Sequence, residues 1–161
     1  MSMIGVLRAF EDEGFDLDDL VDHELDGASS FVGAVDVDKM WQALSILTTP
    51  SPDPMRSIQD PDRLDPLLGG TPFGEDWGYG EPRHLTPDDV RAVHEHLAAW
   101  SDEEARTRFD PAAFAAAAVY PFVWDEPAEE LWGDLHRLLG ELRRFYAEAA
   151  STGRHVVLVL E

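Results

Sequence analysis

The stretch His155-Val156-Val157-Leu158-Val159-Leu160, close to the end of the chain, decides the fold that the sequence predicts. Five apolar residues follow the histidine, and three of them are β-branched valines, which is typical of a strand buried on both faces. Such a strand lies inside a sheet. Residues 2–10 (SMIGVLRAF) form another short apolar run. We therefore predict that the two runs pair and that both ends of the chain share one sheet.

Cap residues and apolar spacing predict helices between these two strands. Asp16 is placed to cap a first helix, in which apolar residues recur every three or four positions. A short extended segment, residues 31–35, follows it. Asp36 or Asp38 is then placed to cap a second helix, and so many of its positions, including Trp41, are apolar that we expect it to be deeply buried.

The second half of the chain is predicted to be mainly helical. Three helix starts carry cap residues, at Thr86 with Asp89, at Ser101 with Glu104 and at Asp110 with Pro111. A longer helix over residues 127–151 is indicated by apolar residues spaced three and four apart, and Gly153 suits its end. The predicted class is therefore α+β. We expect residues 1–161 to form a single domain, in which a small mixed sheet containing both terminal strands packs against several α-helices.

Composition limits the classes of partner. The chain has 161 residues, 33 acids against 12 Lys and Arg, and a net charge of -21. This charge repels phosphates and anionic headgroups, so we expect neither nucleic acid nor a membrane as a partner, and it favours a basic protein. The absence of cysteine, of a signal-like start and of a membrane-length apolar run favours the cytoplasm.

Four segments of the chain have sequences, and an order and spacing, that are typical of one group of proteins. They are residues 3–5 (MIG), 35–41 (VDVDKMW), 68–80 (LGGTPFGEDWGYG) and 119–121 (VYP) with the closing strand. Together they span essentially the whole chain, which resembles the DUF1877 or YfbM-like family of bacterial proteins. The resemblance implies an α+β fold with the terminal strands in the core. It implies no activity, cofactor or catalytic residue.

Known catalytic and metal-binding signatures are missing from the sequence. There is no phosphate loop and no serine nucleophile elbow, and Gly78-Tyr79-Gly80 is followed by Arg83 where a dinucleotide motif needs glycine. His94 and His96 lie two residues apart, or about 200° around a helix, so they do not share a metal ion. We expect His94 to flank the core and His96 to face water. We expect no cofactor and no metal.

The candidate site is the turn-rich loop of residues 69–84, whose five glycines allow the backbone to approach a ligand closely. Its candidate ligand-binding side chains are Glu75, Asp76, Trp77, Tyr79, Arg83 and His84, and further candidates outside it are Asp36, Asp38 and Trp41. Carboxylates can accept hydrogen bonds or act as an acid–base pair, aromatic rings can stack on a planar group, and arginine or histidine can hold an anion or move a proton. Each of these residues also suits a structural role in a turn, a cap or the core.

Two functional hypotheses follow, and the sequence leaves open whether the protein is an enzyme. The first is a cytoplasmic, non-enzymatic binding or interaction domain whose acidic surface meets a basic protein. The second is a small-molecule-binding protein or enzyme that uses the loop of residues 69–84. The second hypothesis requires a concave pocket on which side chains of this loop converge.

Overall fold

The structure is a computed structural model that describes residues 2–11, 30–50 and 62–161. Its elements in chain order are β1 (Gly5–Phe10), β2 (Phe31–Asp36), a 3-10 turn (Asp38–Met40), α1 (Trp41–Thr48), β3 (Thr71–Pro72), β4 (Arg83–Leu85), α2 (Pro87–Ala99), α3 (Asp102–Arg108), α4 (Pro111–Ala116), α5 (Ala128–Ser151) and β5 (His155–Leu160). These elements confirm the predicted α+β class. The helix predicted after Asp16 lies outside the described residues.

The sheet has the strand order β2-β1-β5-β4-β3, so β5 is at its centre and pairs with β1, as the sequence predicts. Each pairing among the described strands is antiparallel. The expectation of a mixed sheet is therefore wrong. The reason is that residues within a strand specify its burial but not its direction, which is set by the path of the helices that come before it.

The pairing register divides the side chains of β1 and β5 between two faces. Leu7 lies opposite Leu158, and both belong to the main core, which also contains the buried sides of the helices. Phe10, Val157 and Val159 form a second apolar cluster. Because neighbouring residues of a strand point to opposite faces, this second cluster lies on the other face of the sheet. Both faces of β5 are thus covered.

Most of the predicted helix signals are confirmed. Thr86 with Asp89 and Ser101 with Glu104 form capping boxes, and the carboxylate of Asp110 accepts the N–H of Ala113. All eight residues of α1 are buried. The buried positions of α5 recur every three or four residues, as the apolar pattern predicts, except that the adjacent Leu138 and Leu139 are both buried. Gly153 follows the end of α5 with a φ of 64°. No helix in the described part of the chain has the length and apolarity needed to cross a bilayer.

The start of α1 differs from the prediction. Neither Asp36 nor Asp38 is its N-cap, which is Met40. Asp36 acts earlier, because its Oδ1 accepts the N–H of Asp38 at 2.7 Å and so closes the turn that leads into the 3-10 segment. Asp38 lies at a φ of 51°, outside the conformation that an N-cap requires.

The end of α1 explains a second difference. The expectation that His96 faces water is wrong, because its Nε2 donates to the carbonyl of Thr48 at 2.6 Å and the side chain is half-buried. Trp100 donates its indole N–H to the carbonyl of Leu47 at 2.8 Å. The last carbonyls of a helix have no partner within it, so side chains at the end of α2 satisfy those of α1. His94 is half-buried.

Deleting residues 155–161 tests the central position of β5. The deletion removes the strand that joins β1 to β4, so we expect the cooperative thermal transition and the near-ultraviolet circular dichroism of the native protein to disappear. The matched control deletes Glu161 alone, which removes one backbone pair with Ile4 and the ion pair with Arg8 but leaves β5 in place. The control should melt cooperatively. A cooperative melt of the longer deletion at the wild-type temperature would contradict the fold.

Candidate functional site

A cavity of about 570 Å³ opens beside the loop of residues 69–84. Leu158 and Leu160 of β5 lie in its wall, together with Arg83, which pairs with Leu158 across the sheet. Directly opposed residues in a sheet share a face, so the cavity lies on the face that carries the main core. The loop contributes Tyr79 and its neighbours to the same wall. The size is within the range of small-molecule sites.

Three aromatic residues form one side of the cavity. Trp41 stacks on Tyr120, with ring centroids 6.2 Å apart and planes at 29°. The ring of Phe122 meets Tyr120 edge to face at 5.7 Å, and 65% of Phe122 is exposed. These rings, all of which line the cavity, give it an apolar wall that can pack against the face of a planar molecule.

Gly5 determines how closely this aromatic wall approaches the sheet. A Cβ at Gly5 would lie 2.8 Å from the Cβ of Trp41 and 3.0 Å from Cγ2 of Val37. Real carbon atoms do not approach so closely, so a larger residue would push α1 away from β1. The glycine of the Met3-Ile4-Gly5 segment thus places Trp41 at the cavity.

Hydrogen bonds fix Tyr120 in the wall. Its backbone N–H donates to Oε1 of Gln42 at 2.9 Å, and its hydroxyl accepts the N–H of Met3 at 3.0 Å. Met3 and Gln42 also line the cavity. Because the hydroxyl acts as an acceptor in this bond, its own hydrogen is available to an acceptor in the cavity.

Arg83 is the cationic side chain among the described residues of the wall. Its Nε donates to the carbonyl of Gly69 at 3.0 Å and its Nη2 to that of Gly70 at 2.9 Å. Gly70 has a φ of 80°, and a Cβ there would lie 2.5 Å from the carbonyl oxygen of His84, so this position requires glycine. The backbone turn and the guanidinium therefore hold each other in place.

In the described part of the chain, carboxylates act on the charge of Arg83 without forming an ion pair with it. Burial lowers its pKa, and the negative charges of Asp65 and Glu81 raise it, but a guanidinium stays protonated in proteins. Arg83 forms no ion pair with a described carboxylate, and its Nη1 makes no hydrogen bond within the described part of the chain. One nitrogen of a fixed cation is thus available for a ligand.

Three of the nine candidate residues line the cavity, namely Trp41, Tyr79 and Arg83. The structure places the other six elsewhere, and these are Glu75, Asp76, Trp77, His84, Asp36 and Asp38. Trp77 packs against the second apolar cluster. Arg83 and His84 are adjacent in β4, so their side chains point to opposite faces of the sheet. Alternation along a strand therefore separates side chains that are neighbours in the sequence.

The two loop carboxylates do not form an acid–base pair in the cavity. Oδ1 of Asp76 accepts the N–H groups of Gly78 at 2.7 Å and Gly80 at 2.9 Å. These two bonds lower the pKa of Asp76, so it stays ionised and caps the turn. Glu75 is exposed. Among the described carboxylate residues, Glu81 lines the cavity, and it is also exposed.

His84 belongs to a histidine pair on the far face. Its Nε2 lies 2.8 Å from Nδ1 of His155, and the two rings stack with centroids 5.1 Å apart. Burial lowers the pKa of His84, and the neighbouring His155 lowers it further. In residues 2–11, 30–50 and 62–161, no group of three or more His, Asp or Glu side chains is placed to hold a metal ion.

Asp65 is a buried residue that the sequence interpretation missed. Its Oδ1 accepts the N–H groups of Leu67 at 2.8 Å and Leu68 at 3.0 Å, and its Oδ2 accepts the hydroxyl of Ser45 at 2.5 Å. Burial raises its pKa from 3.8 to about 6. Leu68 lines the cavity, so this carboxyl group fixes one edge of the wall. The feature of the sequence that could have indicated this turn is that Asp65 is followed by Pro66, since aspartate and proline are typical of turns.

The variant Asp65→Asn tests the pH dependence that this burial implies. The pKa of Asp65 is higher in the folded protein than in the unfolded chain, so ionisation opposes folding. The resulting loss in the free energy of unfolding is absent below a pH of about 3.8 and grows as the pH rises. It is complete above a pH of about 6, where it amounts to about 3 kcal/mol. Urea unfolding at several pH values should show the wild type losing stability relative to Asp65→Asn across this window. A stability difference that does not change with pH would contradict the buried charge.

A further variant, Asp65→Ala, separates charge from hydrogen bonding. It leaves the N–H groups of Leu67 and Leu68 and the hydroxyl of Ser45 without their acceptor. We expect it to be less stable than Asp65→Asn at every pH, by about 2 to 4 kcal/mol.

One of three comparisons with known proteins shows the family, and another shows the fold. No curated protein matches the chain significantly. The crystal structure of YfbM from Escherichia coli, described as a protein of unknown function, is similar over 99% of this chain and 100% of that chain, with a TM-score of 0.75 and 23% sequence identity. This likeness shows the fold alone. The family model for DUF1877, a domain of unknown function, matches residues 1–159. The match confirms the resemblance in the sequence, and the chain belongs to the DUF1877 family.

Proposed function

We propose that the protein binds a small molecule in the cavity between the sheet and the loop of residues 69–84. The observation that carries the proposal is a cavity of about 570 Å³ with an aromatic wall and one fixed guanidinium, that of Arg83. Small-molecule sites are typically concave and mostly apolar, with a few polar groups that orient the ligand. This cavity has each of these properties.

The rigidity of the polar group supports binding. Arg83 is held by the carbonyls of Gly69 and Gly70 before any ligand arrives. Ordering a long side chain on binding costs roughly 0.5 to 1.5 kcal/mol, and a side chain that is already fixed avoids much of this cost. Tyr120 is held at both its backbone and its hydroxyl in the same way. The wall is therefore preorganised.

We propose binding and not catalysis as the role of this site. Among the described residues that line the cavity there is no histidine, serine, threonine or lysine, and Glu81 is the one carboxylate of that set. General acid–base and nucleophilic chemistry need such groups within reach of each other. The ionisable groups present suit recognition of a charged or polar ligand.

The alternative is a cytoplasmic interaction domain that meets a basic protein. It is supported by the net charge of -21, which also disfavours nucleic acid and anionic membranes as partners. The most acidic segment is residues 11–26, with nine acids and no Lys or Arg, and all of it but Glu11 lies outside the described residues. This hypothesis stays a prediction from charge. Absence of cysteine favours the cytoplasm for either function.

Two alanine variants test the proposed binding site. Ala118 lines the cavity, whereas Ala116 is an exposed residue of α4 that does not. Ala118→Trp should fill the opening of the cavity, and Ala116→Trp is the matched control. A library of small aromatic acids, amides and amines is titrated into both variants and the wild type, and binding is followed in two-dimensional amide NMR spectra.

We expect a subset of the library to shift signals of cavity residues in the wild type and in Ala116→Trp. The same compounds should bind Ala118→Trp at least roughly tenfold more weakly, because the indole occupies their space. Thermal melts of both variants establish that each is folded. The proposal is contradicted if no compound shifts cavity signals, or if Ala118→Trp binds them as well as the control does.

A further inference from the structure

We propose that the ligand of this cavity is an organic anion with a flat apolar body, such as an aromatic carboxylate, and that Arg83 binds its charged group. The inference rests on the proposed function and adds the chemical class of the ligand. Three features support this class of ligand: the charge pairing of the arginines, the donors in the cavity wall and the shape of the wall.

Arg83 differs from most other arginines in the described residues, which form ion pairs, and it shares with Arg108 a guanidinium held by neutral carbonyl oxygen. Arg8 pairs with Glu161 at 2.6 Å, and Arg106 pairs with Glu129 at 2.6 Å. Further ion pairs join Arg137 to Glu141 and Arg154 to Glu148. The chain has 33 acids for 12 basic residues, so carboxylate partners are abundant. The guanidinium in the cavity is nevertheless held by two neutral carbonyls.

This arrangement fixes the guanidinium without neutralising it. A half-buried cation is stabilised by a charge partner, because burial penalises the isolated charge. Carbonyl groups orient Arg83 but contribute no opposite charge. Asp65 and Glu81 act on Arg83 without an ion pair, so a ligand carboxylate that reaches its Nη1 would supply the direct contact and form a charge-assisted hydrogen bond, which is roughly twice as strong as a neutral one.

Glu81, which is exposed, is an acceptor in the wall, whereas the polar groups of Tyr120 and Trp41 are donors. The hydroxyl of Tyr120 accepts the N–H of Met3 and so retains its own hydrogen for donation. Oε1 of Gln42 already accepts the N–H of Tyr120. The indole Nε1 of Trp41 is a buried donor with no hydrogen-bond partner in the described part of the chain. Since that atom is shielded from water, we assign the charged group of the ligand to Arg83 and not to Trp41.

The shape of the wall indicates the body of the ligand. Trp41 and Tyr120 present stacked rings, and Phe122 stands at the opening. Leu158 and Leu160 add aliphatic surface from the sheet. A planar apolar group packs well against such a wall. Aromatic walls also suit organic cations, but Arg83 would repel a cation at close range.

Three naphthalene probes of nearly equal size test the class of ligand. They are naphthoate, which is an anion, naphthamide, which is neutral, and naphthylmethyl-trimethylammonium, which is a cation, all substituted at the same ring position. Isothermal titration calorimetry with the full chain should give the lowest Kd for naphthoate, by roughly tenfold or more over the amide. The cation should bind more weakly than the amide.

Charge variants assign the preference to Arg83. Arg83→Gln should remove the preference for naphthoate over naphthamide. Because Arg83 also holds the loop, a second pair of variants leaves it intact. Glu81→Gln removes the carboxylate that lines the cavity and should lower the Kd of naphthoate roughly two- to fivefold at low salt. Glu75→Gln removes an exposed carboxylate of the same loop outside the cavity and should have a smaller effect.

The outcomes distinguish this inference from the proposed function. If the three probes bind equally, or if the cation binds best, the ligand class is wrong while binding in the cavity stands. Equal effects of Glu81→Gln and Glu75→Gln on naphthoate would also overturn the inference. If none of the probes binds and the library used with Ala118→Trp gives no cavity shifts, both the inference and the proposed function fail.

Discussion

The antiparallel pairing of β1 with β5 joins the two ends of the chain at the centre of the sheet, and the remaining elements are positioned relative to it. Ile4 and Glu161 exchange two backbone hydrogen bonds of 2.8 Å, and the ladder continues from them through the register of the two strands. On its outer sides this pair carries β2 and β4. Pairing the two ends of the chain closes a long loop, which costs conformational entropy. The pair therefore depends on the burial of apolar side chains on both faces of the sheet.

The cavity is a consequence of this pairing. Leu158 faces the main core because of its position in β5, and its cross-strand neighbour Arg83 must face the same way. Gly5 at the start of β1 lets α1 approach, which brings Trp41 to the same region. A change in register by one residue would direct Arg83 to the opposite face and place His84 beside the aromatic wall. The chemistry of the site therefore depends on a backbone alignment made far from it in sequence.

Local signals explain which parts of the fold were predictable. The apolar run of β5 and the capping boxes at Thr86 and Ser101 are each encoded within a few residues, and the structure has them as predicted. Strand direction, the bond of His96 to α1 and the burial of Asp65 depend on residues distant in the chain. In the candidate loop, composition identified Tyr79 and Arg83, but the alternation that separates His84 from them is a property of the paired sheet.

Native-state hydrogen exchange tests the central role of the β1–β5 pair most directly. Ile4 and Glu161 form a hydrogen-bonded pair, and every second opposed pair along the two strands does the same. The amide N–H groups that bond across β1 and β5 are therefore those of Val6, Arg8, Val157 and Val159. The account predicts that these amides exchange most slowly, with an opening free energy equal to that of global unfolding. If they exchange through smaller openings while the amides of α5 remain protected, the helices hold the structure and the account is contradicted.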